Sequence, residues 1–306
     1  MANQMKAIQF REYGGPDKLN VVELPRPTIG PNEVLVRMKA AGVNPADWKI
    51  REGYMKAWAP LPWVAGLDGA GVVEEVGNEV KNLRAGDEVF GPIVNSYAEF
   101  AKVQASELTK KPAKITFDQA ATVPVGALTA WKMIEDAGVK AGQTVLVQGA
   151  AGGVGLFAVQ FAKQRGAKVI GTASKENLSF IKGVGVDTAV DYHEGRLEEK
   201  VHGVDAVLDT VGGEAVDDLW PVLKKGGVLV TIAAQLSEAK AKEHGVRAVQ
   251  SGRAAAENLK AIADLIAQGK VRVEVRTTFP LADARKAHEA SQTGHGRGRI
   301  VLHIAD

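Results

Sequence analysis

One segment narrows the choice of fold more than any other: Val145-Leu146-Val147-Gln148-Gly149-Ala150-Ala151-Gly152-Gly153-Val154-Gly155-Leu156-Phe157-Ala158-Val159-Gln160. Its apolar run reads as a buried parallel strand and its glycine cluster as a tight turn. The rest reads as a helix running to about Arg165, with no bulk at its first turn. That combination is a pyrophosphate site. Gly152 lets the backbone approach the phosphates, Gly155 lets the helix pack against the strand, and the free amides and positive dipole end of the helix face the anion. Ala150 stands where the usual fingerprint begins with glycine, and Gly149 comes just before it. The candidate phosphate residues are therefore Gly149, Ala150, Gly152, Gly153, Val154 and Gly155. A merely structural turn is the alternative, and the strand-then-helix setting favours the dinucleotide.

The rhythm around this segment divides the chain. Up to about Val123 it is strand-like and punctuated by glycine and proline, with expected strands at 5–10, 33–41, 69–76, 87–90 and 98–103. From 145 onward strands and helices alternate: strands at 145–148, 168–172, 189–192, 204–209 and 228–233, helices at 153–165, 176–184 and 215–223. Such alternation means a parallel sheet covered on both faces. A further amphipathic helix is expected at 259–268. The strand 273–279, helix 281–291 and strand 299–304 are assigned back to the first region, because the sheet of the cofactor domain is already complete. The expected division is 1–123 with 270–306, and 124–269.

In an NAD-selective version of this fold an acidic side chain ends the second strand, roughly 20 residues past the glycines, and holds the ribose hydroxyls. Here Ala173 takes that position, followed by Ser174 and Lys175. A hydroxyl donor and a positive charge suit a 2′-phosphate, so NADPH is the expected cofactor. The alternative is that Ser174 caps the next helix and Lys175 is a solvated charge.

Composition excludes several classes. The 306 residues carry a net charge of +2, with 45% hydrophobic and 24% charged residues, an ordinary balance that argues neither for nucleic acid nor for a membrane surface. There is no cysteine, hence no disulfide, thiolate nucleophile or cysteine metal ligand. No apolar run approaches a membrane span, and the first ten residues lack a signal-like core; a cytoplasmic protein is expected.

Three further stretches carry a family resemblance. They are Ala41-Gly42-Val43-Asn44-Pro45-Ala46-Asp47-Trp48-Lys49-Ile50-Arg51-Glu52-Gly53, Val64-Ala65-Gly66-Leu67-Asp68-Gly69-Ala70-Gly71-Val72-Val73-Glu74-Glu75-Val76-Gly77, and Val123-Pro124-Val125-Gly126-Ala127-Leu128-Thr129-Ala130-Trp131. In order and spacing the chain resembles the medium-chain dehydrogenase/reductase superfamily. Within it the chain is similar to the zinc-free quinone oxidoreductase branch, with zeta-crystallin and the alkenal and enone reductases. The resemblance covers essentially the whole length and implies an α/β protein, a GroES-like, mostly-β catalytic domain joined to a Rossmann doubly wound parallel sheet. Where the alcohol dehydrogenases place a cysteine ligand, this chain has Asn44. Where they place the histidine of a His-Glu pair, it has Leu67 followed by Asp68. The four-cysteine loop of a structural zinc is missing as well. The six histidines, His193, His202, His244, His288, His295 and His303, form no close ligand pair and are read as surface or packing residues. No metal is expected.

Without a Lewis acid, the acceptor of hydride must already be electrophilic. A quinone or an α,β-unsaturated carbonyl qualifies, and the protein must then supply positioning, a dry site and a proton. The resemblance implies Asn44 as a hydrogen-bond donor to the substrate carbonyl, against an asparagine that only fixes the turn before Pro45. It implies Tyr54 as an aromatic wall or proton donor, and Asp68 as the group that orients Asn44 or the ribose region, or that caps a turn. It implies Thr129 beside the carboxamide, against a helix threonine that only satisfies an earlier carbonyl; Tyr192 near the 2′-phosphate, against a core aromatic at a strand end; and Arg297 and Arg299 in the basic C-terminal segment that reaches toward the cofactor, against solvated glycine-flanked arginines. A 2-enoyl thioester reductase is a close alternative, and a low-turnover NADPH-binding structural or RNA-binding protein a more distant one. The near-neutral charge and lack of a basic cluster with interleaved aromatics count against RNA. A homodimer is expected through the strand 246–250, which a monomer would leave as an unpaired edge.

Overall fold

The computed structural model describes residues 4–294 and 296–306. The first part of the chain runs through β1 (Gln4–Phe10), β2 (Asn20–Pro25), β3 (Glu33–Val43), helix α1 (Pro45–Glu52), β4 (Trp63–Val64), β5 (Asp68–Val76), β6 (Glu88–Pro92), β7 (Phe100–Gln104) and β8 (Thr109–Lys110). Helices α2 (Phe117–Ala121) and α3 (Pro124–Ala137) lead into the alternating part. That part begins with β9 (Thr144–Gln148), α4 (Gly155–Gln164), β10 (Lys168–Ala173), α5 (Leu178–Val184) and β11 (Thr188–Asp191). It continues with α6 (Leu197–Lys200), β12 (Val204–Asp209), β13 (Leu223–Thr231), α7 (Glu238–His244) and β14 (Arg247–Gln250). Then follow α8 (Asn258–Ala267), β15 (Val275–Pro280), α9 (Ala284–Gln292) and β16 (Arg299–His303).

The alternating strands form a parallel six-stranded sheet in the order β11-β10-β9-β12-β13-β14. Val145, Leu146 and Val147 of its central strand are fully buried, because helices cover both faces and leave no solvent side for a polar alternation. The chain leaves β9 in one direction and returns to β12 on the other side, where Gln148 pairs with Asp209. The crevice at that reversal, past the carboxyl ends of β9 and β12, is where doubly wound sheets place their ligands.

A second sheet, in the order β15-β16-β3-β5-β6-β8 with β7 also on β3, combines the two ends of the chain. Ile300 lies opposite Val43 in the antiparallel β16–β3 pair, so the last strands do return to the first region. A small antiparallel sheet, β2-β1-β4, lies beside it. One expected element differs. In place of a helix over 215–223 there is a 3-10 stretch, Gly213–Leu219, and Leu223 already belongs to β13. Gly212 and Gly213 enter the stretch at φ +73 and +66, outside helical backbone, and Pro221 has no N–H to give to a helical bond, so no α-helix is established there.

Two helix starts position the site. Asn44 precedes α1, whose first residue is Pro45 and whose end is Gly53 at φ +91. Pro124 opens α3 in the same way. Proline at a first helical position sacrifices an N–H that has no partner in any case.

Candidate active site

The glycine turn has the geometry its sequence implies. Gly149 sits at φ +76, a conformation that only glycine adopts freely. A Cβ on Gly155 would lie 2.1 Å from the carbonyl oxygen of Gly149, so the close helix–strand approach excludes any side chain there. The turn is braced by Gly149 N–H to Thr172 Oγ1 at 3.1 Å and Ala150 N–H to Thr172 O at 2.9 Å. Among the described residues the N–H groups of Gly153 and Val154, just ahead of α4, meet no acceptor. Unpartnered, half-buried donors at a helix start are what a pyrophosphate requires, so the turn fits a dinucleotide.

Beside this turn lies a buried polar cluster drawn from four elements. Asp68, at the start of β5, is fully buried, with Asn44 1% and Arg299 4% exposed. Asn44 Nδ2 donates to Asp68 Oδ2 at 3.0 Å, and Arg299 Nη2 donates to Asn44 Oδ1 at 2.6 Å and to Asp68 Oδ2 at 3.3 Å. The other oxygen of Asp68 accepts the Val125 N–H at 2.9 Å. Its charge therefore sits at the positive end of α3 and caps it. Burial pushes the Asp68 carboxyl up to about 6, against the opposing pull of Arg299. The carboxylate still carries its charge at neutral pH and pairs with the guanidinium.

Residues that the sequence did not single out extend this cluster. Asp47 Oδ2 accepts the Asn44 backbone N–H at 2.7 Å and the Tyr97 hydroxyl at 3.2 Å, while its Oδ1 is buried without a partner. Burial raises the Asp47 carboxyl to about 7. The Tyr97 ring meets His288 edge-on, with centroids 5.8 Å apart, and Arg51 Nη1 lies 2.9 Å from His288 Nδ1. Burial first, and then Arg51, bring His288 down to about 3, so it stays neutral and serves packing between α1 and α9. Arg253 contributes positive potential at Asp68, and the next residue, Ala254, donates its N–H to Leu128 O at 3.1 Å. The polar residues in the Asn44–Gly53 motif were the available signal for Asp47 and Arg51. Nothing in the sequence marked Tyr97 or Arg253.

The remaining candidates differ in exposure. Thr129 is buried in the first half of α3. Ser174 is engaged on both sides: its hydroxyl donates to Glu176 Oε1 at 2.7 Å and accepts from Asn177 Nδ2 at 2.9 Å. Lys175 is exposed. Tyr192 is 52% exposed, its ring tilted against His193, and its N–H reaches Ala173 O at 3.3 Å. Arg297 lies over the Phe180 ring at 5.1 Å, while Arg299 points inward. Tyr54 is 75% exposed on the loop after α1, apart from the buried cluster. His295 lies outside the described residues.

Among the described residues no group of three or more His, Cys, Asp or Glu side chains is placed to hold a metal ion. At the Asn44 position the donor set is one amide and one carboxylate. That carboxylate is committed to Arg299, and a divalent cation there would face the guanidinium as a like charge. No helix among the described residues is long and apolar enough to cross a membrane.

Comparison with known proteins agrees with this architecture. Residues 30–131 match the family described as alcohol dehydrogenase GroES-like domain, and residues 184–302 the family described as zinc-binding dehydrogenase. The chain is 34% identical to the 2-methylene-furan-3-one reductase of Solanum lycopersicum, over 98% of this chain and 79% of that protein. It is equally 34% identical to the chloroplastic NADPH-dependent alkenal/one oxidoreductase of Arabidopsis thaliana, over 98% of this chain and 80% of that one. The solved structure of the quinone oxidoreductase from Coxiella burnetii superposes with a TM-score of 0.91 at 36% identity, covering 98% of this chain and 99% of that one. On fold, site and likeness together, the chain belongs to the medium-chain dehydrogenase/reductase superfamily, in its zinc-free quinone oxidoreductase branch.

Proposed function

We propose that this protein is an NADPH-dependent reductase of quinones and α,β-unsaturated carbonyls that works without a metal. The observation that carries the reading is the convergence of Asn44, Asp68 and Arg299 next to the glycine turn, a neutral donor group backed by a balanced ion pair. The names of the relatives support the same substrate class. When bound, the nicotinamide supplies hydride. Thr129 would hold the carboxamide, and the backbone donors of Gly153 and Val154 would hold the pyrophosphate. Asn44 Nδ2 has two hydrogens; one is held by Asp68, and the other is assigned to the substrate oxygen. A conjugated acceptor spreads the charge it gains, so a neutral amide donor suffices where a saturated carbonyl would need a cation. Solvent, or the exposed Tyr54, returns the proton.

Cofactor choice rests on Lys175 and Tyr192 more than on Ser174, because the Ser174 hydroxyl is already given to Glu176. Among the described residues the edge strand β14 pairs only with β13, and we assign its free side to the same strand of a second copy, giving a homodimer with a continuous sheet. Light scattering tests this: twice 32.4 kDa is expected, and a monomer at micromolar concentration overturns it.

Initial rates of NADPH oxidation with quinones, enones, 2-enoyl thioesters and saturated aldehydes test the activity. Quinones and enones are expected to react and saturated aldehydes to be inert. Turnover of saturated aldehydes alone would defeat the reading, and a strong preference for the thioesters would move it to enoyl thioester reduction.

A further inference from the structure

We infer that Arg299 is the positioning residue of the reduction site and acts through Asn44 rather than on the cofactor; this rests on the proposal that Asn44 donates to the substrate oxygen. An asparagine carboxamide can turn end for end at little cost, exchanging its donor and acceptor faces. Here it cannot. The guanidinium of Arg299 only donates and the ionised Asp68 only accepts, so Oδ1 must face the first and Nδ2 the second. The reverse orientation would set N–H against N–H and oxygen against oxygen, away from water that could relieve either clash. The unheld Asn44 N–H is thereby given one direction.

The Arg299 side chain is itself confined. Its backbone donates to Glu274 O at 3.0 Å, and the preceding Gly298 N–H reaches Ala151 O at 3.0 Å, which ties β16 to the phosphate turn. The side chain then runs through a slot floored by two glycines. A Cβ on Gly153 would lie 2.6 Å from Nη1 and from Cδ, and one on Gly126 would lie 3.2 Å from Nη1. Arg299 and Arg297 are indistinguishable in sequence context, yet only Arg299 enters this slot. Its charge lies one hydrogen bond behind the amide and polarises it toward better donation.

The test combines a readout without turnover and a kinetic one. In the cofactor-free protein, ¹⁵N spectra of the Asn44 side-chain amide are expected to show two sharp, slowly exchanging protons. In Arg299→Met they are expected to broaden and exchange faster. With an enone substrate, Arg299→Met is expected to lower kcat by roughly a hundredfold, the scale of a misplaced reacting group, and Arg299→Lys by less, because an ammonium can serve one of the two acceptors. NADPH affinity, followed by fluorescence quenching, is expected to stay within about threefold in both. In an Asn44→Ala background the same Arg299 substitutions are expected to add little to the loss. If Arg299→Met does not fold, Gly126→Ala, which crowds the guanidinium without removing its charge, serves for the amide spectrum. Unchanged Asn44 signals in the Arg299 variants overturn the inference. So does a tenfold or greater loss of NADPH affinity with kcat intact, which would make Arg299 a cofactor ligand. Inert wild-type protein with every acceptor would instead defeat the functional proposal and leave the amide spectra to decide the role of Arg299.

Discussion

The buried inner end and the exposed outer end of the candidate site are built on opposite principles. At the inner end Asn44, Asp68 and Arg299 are almost sealed from water and hydrogen-bond to one another, while Arg299 Nε is buried without a partner among the described residues. At the outer end Lys175 and Arg297 stand in solvent and Tyr192 is half exposed. A sealed network holds its geometry before any ligand arrives, and its members cannot be removed singly without leaving a buried charge or donor unmatched. An exposed recognition surface is assembled only around its ligand, so its members matter to affinity and hardly to folding. On the function proposed above, reaction geometry and stability are coupled at the inner end, and recognition is separate from stability at the outer end.

The sharpest way to break this contrast is Asp68→Ala. It leaves Arg299 buried without its carboxylate and uncaps α3, and urea unfolding is expected to show a loss of about 3–5 kcal/mol. A loss below about 1 kcal/mol would mean that the inner end is not a stabilising network. Lys175→Ala probes the opposite end. NADPH affinity is expected to fall roughly tenfold, NADH affinity to change little and the melting temperature to stay put. A fall in melting temperature with no change in affinity would invert the comparison.

The third measurement separates buried charge from solvent by pH. Asp47 keeps its proton in the fold up to about pH 7, well above the ordinary carboxyl value. The folded state therefore binds more protons than the unfolded one between roughly pH 4 and 7, and stability falls as pH rises through that window. Asp47→Asn retains an oxygen for the Asn44 N–H and the Tyr97 hydroxyl without that titration. Its melting temperature relative to wild type is expected to be higher at pH 8 than at pH 5. Asp68 is coupled to Asp47, whose carboxyl its charge helps to raise, so the difference between the two proteins reads the titration of Asp47 together with that coupling. A gap independent of pH would show that Asp47 ionises freely. The smallest effect is expected from Tyr54→Phe. An exposed hydroxyl outside the network should change neither stability nor rate by more than about 0.5 kcal/mol, and a tenfold rate loss would establish it as the proton donor.

What was legible in the sequence was local. Strand, turn and helix around Gly149–Gly155 lie within one short segment, and each residue type there answers to a backbone constraint that neighbours in sequence impose. The same holds for the alternating strands, where buried faces demand continuous apolar runs. Local reasoning went astray at 215–223, where helix-compatible residues lie between paired glycines and Pro221. The sequence left Ser174 open to a 2′-phosphate or to capping the next helix, yet its hydroxyl is spent on Glu176 two residues away, because short polar side chains at strand ends find partners within their own turn.

The inner site was legible only as a set of separate residues. By itself the sequence determined a dinucleotide turn, a mostly-β first region, the want of metal ligands at Asn44 and Leu67, and the candidates Asn44, Asp68 and Arg299. Tertiary structure alone decided that these meet, since Asn44 and Arg299 are 255 positions apart and are joined only because β16 returns to pair with β3. It also decided which of two glycine-flanked arginines is buried, and it supplied Tyr97 and Asp47 behind Asn44. The physical reason is that a backbone turn depends on neighbours along the chain, whereas the ionisation and orientation of a side chain depend on which charges and donors share its buried space.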